Sequence, residues 1–451
     1  MACHLPAPLL DEYELFVNRM NTPRVVIDNA SSSSTTIIKV DSARKHGILL
    51  EAVQALTDLD LSIKKGYISS DGRWFMDVFH CTDQQGRKIT ADTSYLISRI
   101  ERCLSMDPLC DFSHNRVLDH LTSLELTGSD RVGLLSEVFA VLSDLNCSVV
   151  EAKVWTHNKR IGAIISVKDQ KSGSPIEDKQ TANRIQARLK HVLKGDNGFR
   201  GAPLTEVLYP ARVGMDADRR MHQIMFADRD YEGMDDRWPK EEVSTSSPLV
   251  SVQNWGERRG YSVVTVQCRD RPKLLFDVVC TLTDMEYVVF HGTVDTTGDL
   301  AHQEFYIRHL DGNPISSEAE RERVIQCLRA AIQRRSSEGV RLELRTKDRP
   351  GLLAFVTRTF RENGLSVTMA DISTEGPTAV NVFYVTDAWG HMPDQKILDA
   401  VVQRIGEEDL KVKEEPWHRY CSGSAAREGG TGGTGLLSIG SIVWKNFKIW
   451  A

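Results

Sequence analysis

The sequence predicts an α+β protein built of tandem ferredoxin-like units, each a β-α-β-β-α run with a last strand in some copies. Three observations predict it. The same order of β-rich and amphipathic segments recurs four times along 451 residues. A polar loop of one pattern opens the first helix of each copy. The distances from that loop to later landmarks agree among the copies. Runs of this order give antiparallel sheets with both helices on one face.

The helix-opening loops are Arg44-Lys45-His46-Gly47, Asp130-Arg131-Val132-Gly133, Asp270-Arg271-Pro272-Lys273 and Asp348-Arg349-Pro350-Gly351. The next strand begins at Ser62, Ser148, Val288 and Ser366, which is 15 residues after the loop's last residue in all four copies. An aspartate then closes the second hairpin strand. It falls at one common interval in three copies, at Asp83, Asp169 and Asp387, and two positions later in the third copy, at Asp311.

Each element has its own local reason. After each loop, apolar residues recur at helical period: Ile48, Ala52, Leu56, Leu59; Leu134, Val138, Leu142, Leu145; Leu274, Val278, Leu282, Met285; and Leu352, Val356, Phe360, where Asn363 breaks the fourth series. That is one buried stripe. The following strand carries a small residue at a fixed place, Gly66, Ala152, Gly292 and Ala370, with Ile68, Val154, Val294 and Ile372 two positions on. A helix crossing the sheet closely is the expected reason for the small residues. Turn signals follow at Asp71-Gly72, His157-Asn158, Gly298-Asp299 and Glu375-Gly376-Pro377. Second strands are predicted over Trp74–Cys81, Ile161–Val167, Glu304–Ile307 and Val380–Val385. Closing helices follow over Asp92–Leu104, Asp178–Leu193, Glu318–Arg334 and Asp394–Ile405. A last strand is clearest at Leu410–Lys413, and there is almost no room for one between the third and fourth copies.

These elements divide the chain into an N-terminal segment (1–22), unit one (23–110), unit two (117–198), a charged linker (199–258), unit three (259–337), unit four (338–415) and a tail (416–451). Within the linker, Arg219–Glu232 mixes apolar residues with charges and suits a docking helix, whereas Asp235, Asp236, Pro239 and the serines from Ser244 read as connector. The long middle gap predicts two pairs of consecutive units, with units three and four sharing a sheet edge. The tail has a Gly-rich stretch and then the apolar run Leu436–Ala451. That run carries Lys445 and Lys448 and is too short and too charged for a membrane span.

Composition narrows the function classes. Hydrophobic residues are 41% and charged residues 26%, as in globular domains. A net charge of −6 argues against nucleic-acid binding by bulk electrostatics. Nine cysteines without a CxxC pair, several inside apolar-periodic segments (Cys81, Cys147, Cys268, Cys327), predict reduced thiols and neither a disulfide framework nor a metal site. With no signal-like N-terminus and no transmembrane span, an intracellular location, cytoplasmic or nuclear, is expected. There is no GxxxxGK[ST], no GxGxxG after a strand, no HExxH, no GxSxG and no His-Asp dipeptide. Cys103 and Cys110 lack a paired histidine nearby, and Asp58 and Asp60 suit a solvated helix end better than metal ligation. No catalytic residue, metal or cofactor is therefore predicted.

The Asp-Arg-Pro-Gly-Leu-Leu motif opening a helix in this element order resembles the ACT domain, a small-molecule-sensing module. Four such units, with Val26-Ile27-Asp28-Asn29 near the start and the segment Met225–Glu232 between the pairs, resemble the plant ACT-domain-repeat (ACR) proteins from about Tyr13 to Val412. The apolar tail departs from that pattern. The resemblance implies a free amino acid held at the helix-opening loop, often where two units meet.

Elementary chemistry agrees with that implication. A helix N-terminus offers unpaired N–H groups to a carboxylate, and a loop aspartate or serine can take an ammonium group. Glycine at the helix start admits close approach. The candidates are Asp130, Arg131, Gly133, Leu134 and Ser148 in unit two and Asp348, Arg349, Gly351, Leu352 and Ser366 in unit four. Gly47, Ile48 and Ser62 correspond in unit one, where the loop is basic. Asp as a helix cap and Pro as a helix starter would explain the same motif without a ligand. In unit three, Lys273 and Val288 stand where Gly and Ser are wanted, which predicts a structural or altered loop. The function expected is a non-enzymatic, amino-acid-binding regulatory protein. The alternative is an interaction scaffold whose units have lost their ligands. Partners expected are a free amino acid, a protein partner or self-association through sheet edges, and no nucleic acid.

Overall fold

The computed structural model describes residues 22–43, 46–70, 74–90, 93–104, 121–194, 205–208, 216–232, 248–255, 260–335 and 339–413. The Asp71-Gly72 turn, Arg44, Lys45, Cys110, the connector after Glu232 and the whole tail beyond Lys413 lie outside them.

Unit one comprises β1 (Arg24–Asp28), β2 (Thr36–Ala43), α1 (Ile48–Asp58), β3 (Ser62–Ser70), β4 (Trp74–Thr82) and α2 (Thr93–Leu104). Unit two comprises β5 (Thr122–Ser129), α3 (Leu134–Asp144), β6 (Cys147–His157), β7 (Arg160–Asp169), α4 (Lys179–Lys194) and β8 (Thr205–Leu208). A separate helix α5 (Ala217–Ala227) follows. Unit three comprises β9 (Leu249–Trp255), β10 (Tyr261–Arg269), α6 (Leu274–Asp284), β11 (Tyr287–Thr297), β12 (Leu300–His309) and α7 (Glu318–Arg334). Unit four comprises β13 (Val340–Lys347), α8 (Leu352–Glu362), β14 (Leu365–Glu375), β15 (Thr378–Asp387), α9 (Gln395–Ile405) and β16 (Leu410–Lys413).

Two eight-stranded antiparallel sheets result. One runs β1-β2-β4-β3-β11-β12-β10-β9 and the other β16-β13-β15-β14-β6-β7-β5-β8. Units one and three therefore share a sheet, and units two and four share the other. This corrects the expectation of consecutive pairs and of an edge shared by units three and four. Loop length did not choose the partners; the residues on the two edges did. At the one/three seam, Gly66 faces Val294 and Gly292 faces Ile68. At the two/four seam, Ala152 faces Ile372 and Ala370 faces Val154. Each small residue thus makes room for a branched one across the seam, the packing that cross-strand pairs reward. A methyl built on Gly292 would lie 2.9 Å from Phe305 and 3.1 Å from Ile68. The small residues accordingly answer to the neighbouring strands, not to a helix lying over them.

The stretch 199–258 is likewise more than a linker. It contributes β8 to unit two and β9 to unit three as outer strands. Units two and four take their outer strand from after their last helix, at β8 and β16. Units one and three take it from before their first central strand, at β1 and β9. The missing room after unit three is explained: its edge was already covered by β9.

The hairpins repeat in detail. Every first hairpin strand carries a bulge at the same place, between Ile63 and Lys65, Val149 and Glu151, Val289 and His291, and Val367 and Met369. The aspartates that mark the hairpin ends hold the next turn. Asp83 accepts the Gln85 and Arg87 N–H groups, Asp169 those of Lys171 and Ser172, Asp311 that of Asn313, and Asp387 those of Trp389 and His391. The N–H groups of Asp83, Asp169, His309 and Asp387 close equivalent turns, so His309 holds the aligned place in unit three. That accounts for the later position of Asp311.

The helix stripes bury as predicted except at Leu59 and Met285, which are half-buried against the core, and one core forms under each sheet's helices. Polar residues enter these cores at one matching position of the second hairpin strand: Asp77, Gln303 and Asn381, each at most 2% exposed. Burial pushes the Asp77 carboxyl well above its usual range, against one hydrogen bond from the Ser69 N–H. A raised folded pKa means that folding favours the protonated acid, so Asp77 weakens the fold increasingly as pH rises above its unfolded value of about 3.9. Asp77→Asn is expected to raise the urea midpoint at pH 8 by more than it does at pH 4. An equal shift at both values would refute this account.

Six cysteines among the described residues are free thiols, four of them buried. Burial raises the Cys147 thiol to about 11 and the Cys268 thiol to about 11, so neither is activated. Among the described residues no helix is long and apolar enough to cross a membrane, and no cluster of His, Cys, Asp or Glu could hold a metal ion. Asp58 and Asp60 are exposed.

Candidate functional site

The helix-opening loop is a tight turn before it is anything else. The Leu134, Leu274 and Leu352 N–H groups donate to the carbonyls of Arg131, Arg271 and Arg349. The residue before each Leu is left-handed, with φ 83° at Gly133, 64° at Lys273 and 77° at Gly351; Gly47 matches at 82°. Pro or Val at the second place and Gly at the third is the residue pattern of a type II turn. The glycine is therefore required by the backbone itself, and Lys273 adopts a conformation that a side chain rarely takes. Helix-cap assignments to the aspartates do not hold, because Gly133, Gly351, Gly47 and Lys273 are the N-cap residues and no side chain caps them. Instead the Asp130, Asp270 and Asp348 N–H groups tie the loop to the hairpin tip, at the carbonyls of Lys159, Asp299 and Pro377.

Within one unit, the loop and the serine do not meet. The 11-residue helix α3 separates Gly133 from Ser148, a span of about 16 Å; α8 does the same between Gly351 and Ser366. The antiparallel seam brings them together in a different combination. Its register runs from Met369 opposite Trp155 to Ser373 opposite Glu151, so the start of β6 points toward unit four's hairpin tip and loop. The equivalent contact at the other seam is direct: the Lys64 ammonium at the start of β3 lies 3.4 Å from Asp270 in unit three's loop. Each candidate site is thus shared, with a loop from one unit and a helix end and strand start from its partner. Sequence spacing could not give this, since it depends on which units pair.

The four sites differ in what covers the loop. Among the described residues, nothing lies within 4 Å of a methyl built on Gly47. At Gly351 the nearest group is the Ser143 hydroxyl of α3, 3.6 Å away. At Gly133 the stem of Arg361 from α8 lies across the loop, with Cγ 2.7 Å from such a methyl. At Lys273 the side chain itself reaches out and meets Asp218 of α5 at 2.5 Å.

Electrostatics separate the loops further. Burial raises the Asp130 carboxyl to about 7, opposed by the Arg131 N–H and charge. Arg131 is held by Glu137, at 2.8 and 2.6 Å, and by the Val192 carbonyl; those bonds lower the Glu137 pKa. Arg349 is exposed and lies 5.7 Å from the Phe355 ring. The side chains of Ile48, Leu134 and Leu352 belong to the cores at 4%, 1% and 4% exposure, so only their backbones border a site. Ser62, Ser148 and Ser366 are half-buried. The residues missed from sequence are the cross-seam ones, Ser143 and Arg361. Both stand ten residues after the loop glycine on the first helix, a place that Thr57 and Thr283 share.

Comparison with known proteins agrees with this architecture. Residues 31–111 match the family model "ACR family N-terminal ACT domain", and residues 122–184 and 340–406 match "ACT domain". These stretches fall on units one, two and four. The ACT domain-containing protein ACR8 of Arabidopsis thaliana is 58% identical over 97% of this chain and 96% of its own length. ACR4 of the same plant is 53% identical over 90% of each chain, and ACR6 is 51% identical over 91% of this chain and 94% of its own.

Proposed function

Because the chain belongs to the ACR family of ACT-domain-repeat proteins, we propose that it is a non-enzymatic regulatory protein that binds a free amino acid at the shared loop sites. The observation that carries this reading is the open loop at Gly351, where the neighbouring unit supplies a far wall at Ser143, with the loop at Gly47 open as well among the described residues. The first helical turn supplies donors for a carboxylate. At Gly351 the partner unit supplies hydroxyl acceptors for an ammonium group from Ser143 and Ser148, and Asp348 supplies a carboxylate. The Gly133 site is closed by a flexible arginine stem, and the Lys273 site by the chain's own α5. The proposed capacity is therefore two sites per chain, at Gly47 and Gly351. Ligand acts by favouring the seam arrangement it bridges.

Calorimetry of the full-length chain against the twenty amino acids tests this. One or more should bind, and Ser143→Phe should abolish the heat assigned to the Gly351 site although it alters no residue of unit four. Arg361→Ala should uncover Gly133 and raise the stoichiometry by one. Absence of binding by every amino acid at millimolar concentration would leave a scaffold as the better account.

A further inference from the structure

The third unit's loop is built around a contact that the other loops lack among the described residues. Helix α5 lies between the two sheets' layers: it packs on β5, β6 and β7 on one side and on α6 on the other. Met221 and Met225 are fully buried, and His222 sits edge-on to Trp155 of β6 at 5.0 Å. The helix is capped by Asp216, whose side chain accepts the Arg219 N–H. Its second residue, Asp218, is 3% exposed. The Asp218 carboxylate meets Lys153 of unit two at 2.6 Å, Lys273 of unit three at 2.5 Å and Arg335, just past α7, at 3.2 Å. One carboxylate on α5 therefore joins cations from both sheets' units.

A second buried carboxylate extends the cluster. Asp277 of α6, beside Lys273's own helix start, takes His222 of α5 at 2.8 Å, Arg271 of the loop at 2.7 Å and Arg335 at 3.0 Å. At the far end of α5, Asp230 pairs with Arg334 at 2.6 Å and His157 at 3.0 Å. Burial opposes the charge of all three carboxylates, and they stay ionised because each has cations in contact. The loop residue that departs from the repeat pattern is used here, beside the shared Arg271. Lys273 replaces the glycine, and its side chain ends on Asp218.

We infer that unit three's helix-opening loop is an internal receptor for the Asp218 carboxylate, which makes α5 an electrostatic latch holding the two/four sheet on the helical layer of units one and three. The inference stands whether or not the other loops take amino acids. It explains why unit three keeps the turn but not the glycine: an ammonium is needed where the other units carry no side chain.

The test is oxidative footprinting and amide exchange of the full-length chain in the Asp218→Asn and Lys273→Met variants. Trp155, Met221 and Met225 are 1%, 0% and 0% exposed in the closed arrangement. Opening the latch should raise their oxidation, and α5 amide exchange by on the order of tenfold or more, while α8 and α9 on the far side of the two/four sheet keep their protection. Lys273→Met removes only one of three cations and serves where Asp218→Asn does not fold. Unchanged protection of α5 and Trp155 in the folded variants overturns the inference. So does a rise spread evenly over α5, α8 and α9, because that is general loss of stability.

Discussion

Gly292→Val is expected to unseat unit one from unit three and to cost about 3 kcal/mol or more, at the upper end of what overpacking a core costs. The added carbons have nowhere to go: the first already meets Phe305 and Ile68 at 2.9 and 3.1 Å, and the Glu304 carbonyl at 3.3 Å. Both side chains in the clash are held in place, since Phe305 is fully buried and Ile68 is 3% exposed. Gly292→Ala should cost less, because one methyl can be met by a shift of a few tenths of an ångström. Urea denaturation measures the loss, and amide exchange should place it at β3 and β11 with the two/four seam unaffected. A midpoint indistinguishable from the parent's would show that the small residue does not decide the pairing.

The second large effect is expected at Asp277. Asp277→Asn leaves the guanidinium groups of Arg271 and Arg335 buried against a neutral amide, and breaking such a pair costs about 3–5 kcal/mol. The parental carboxylate is held well below its usual range; burial opposes its charge, and Arg335, Arg271 and His222 more than offset that. A depressed folded pKa contributes stability above the unfolded value of about 3.9 and loses it as pH falls toward the folded value. The gap in urea midpoint between parent and variant should narrow as pH falls below about 4, where the parental carboxylate loses its advantage. His222 works in the opposite direction at milder pH, because Asp277 raises its pKa against burial and the variant loses that support. Its Nε2 faces Asp277 and its Nδ1 faces Arg334, and burial lowers its pKa. It is therefore a neutral ring between a carboxylate and a cation. A gap that fails to narrow below about pH 4 would contradict this assignment.

Much of the fold was legible in the residues. The stripe Leu134, Val138, Leu142 and its three counterparts fixed each first helix, and the common interval from loop to strand fixed where each hairpin starts. The helix Glu318–Arg334 was placed to the residue, and the strand Leu410–Lys413 likewise. Local period suffices for such elements, since each answers to its own neighbours in sequence. The outer strands β8 and β9 were hidden because four to seven residues in a charged stretch have no strong period. Strand status came to them from the edge they cover.

The pairing of units does leave a trace in the residues. Units one and three carry Gly before Ile or Val, and units two and four carry Ala in the same place, so the seams sort by the size of the small residue. The candidate sites were legible in part. The loop glycines were visible because a left-handed turn position demands them. Their far walls, Ser143 and Arg361, were not, because a residue's neighbour across a seam is set by register between distant strands.

By itself, then, the sequence determined four copies of one α+β unit, the turn that opens each first helix, and the departure of Lys273 from the pattern. The tertiary structure alone decided that the units interleave, that a candidate site such as that at Gly351 borders two of them, and that Lys273 meets Asp218. The physical reason is range: helical period, turn geometry and spacing act over a few residues, whereas a seam depends on whether two remote surfaces can fill each other's space and neutralise each other's charge.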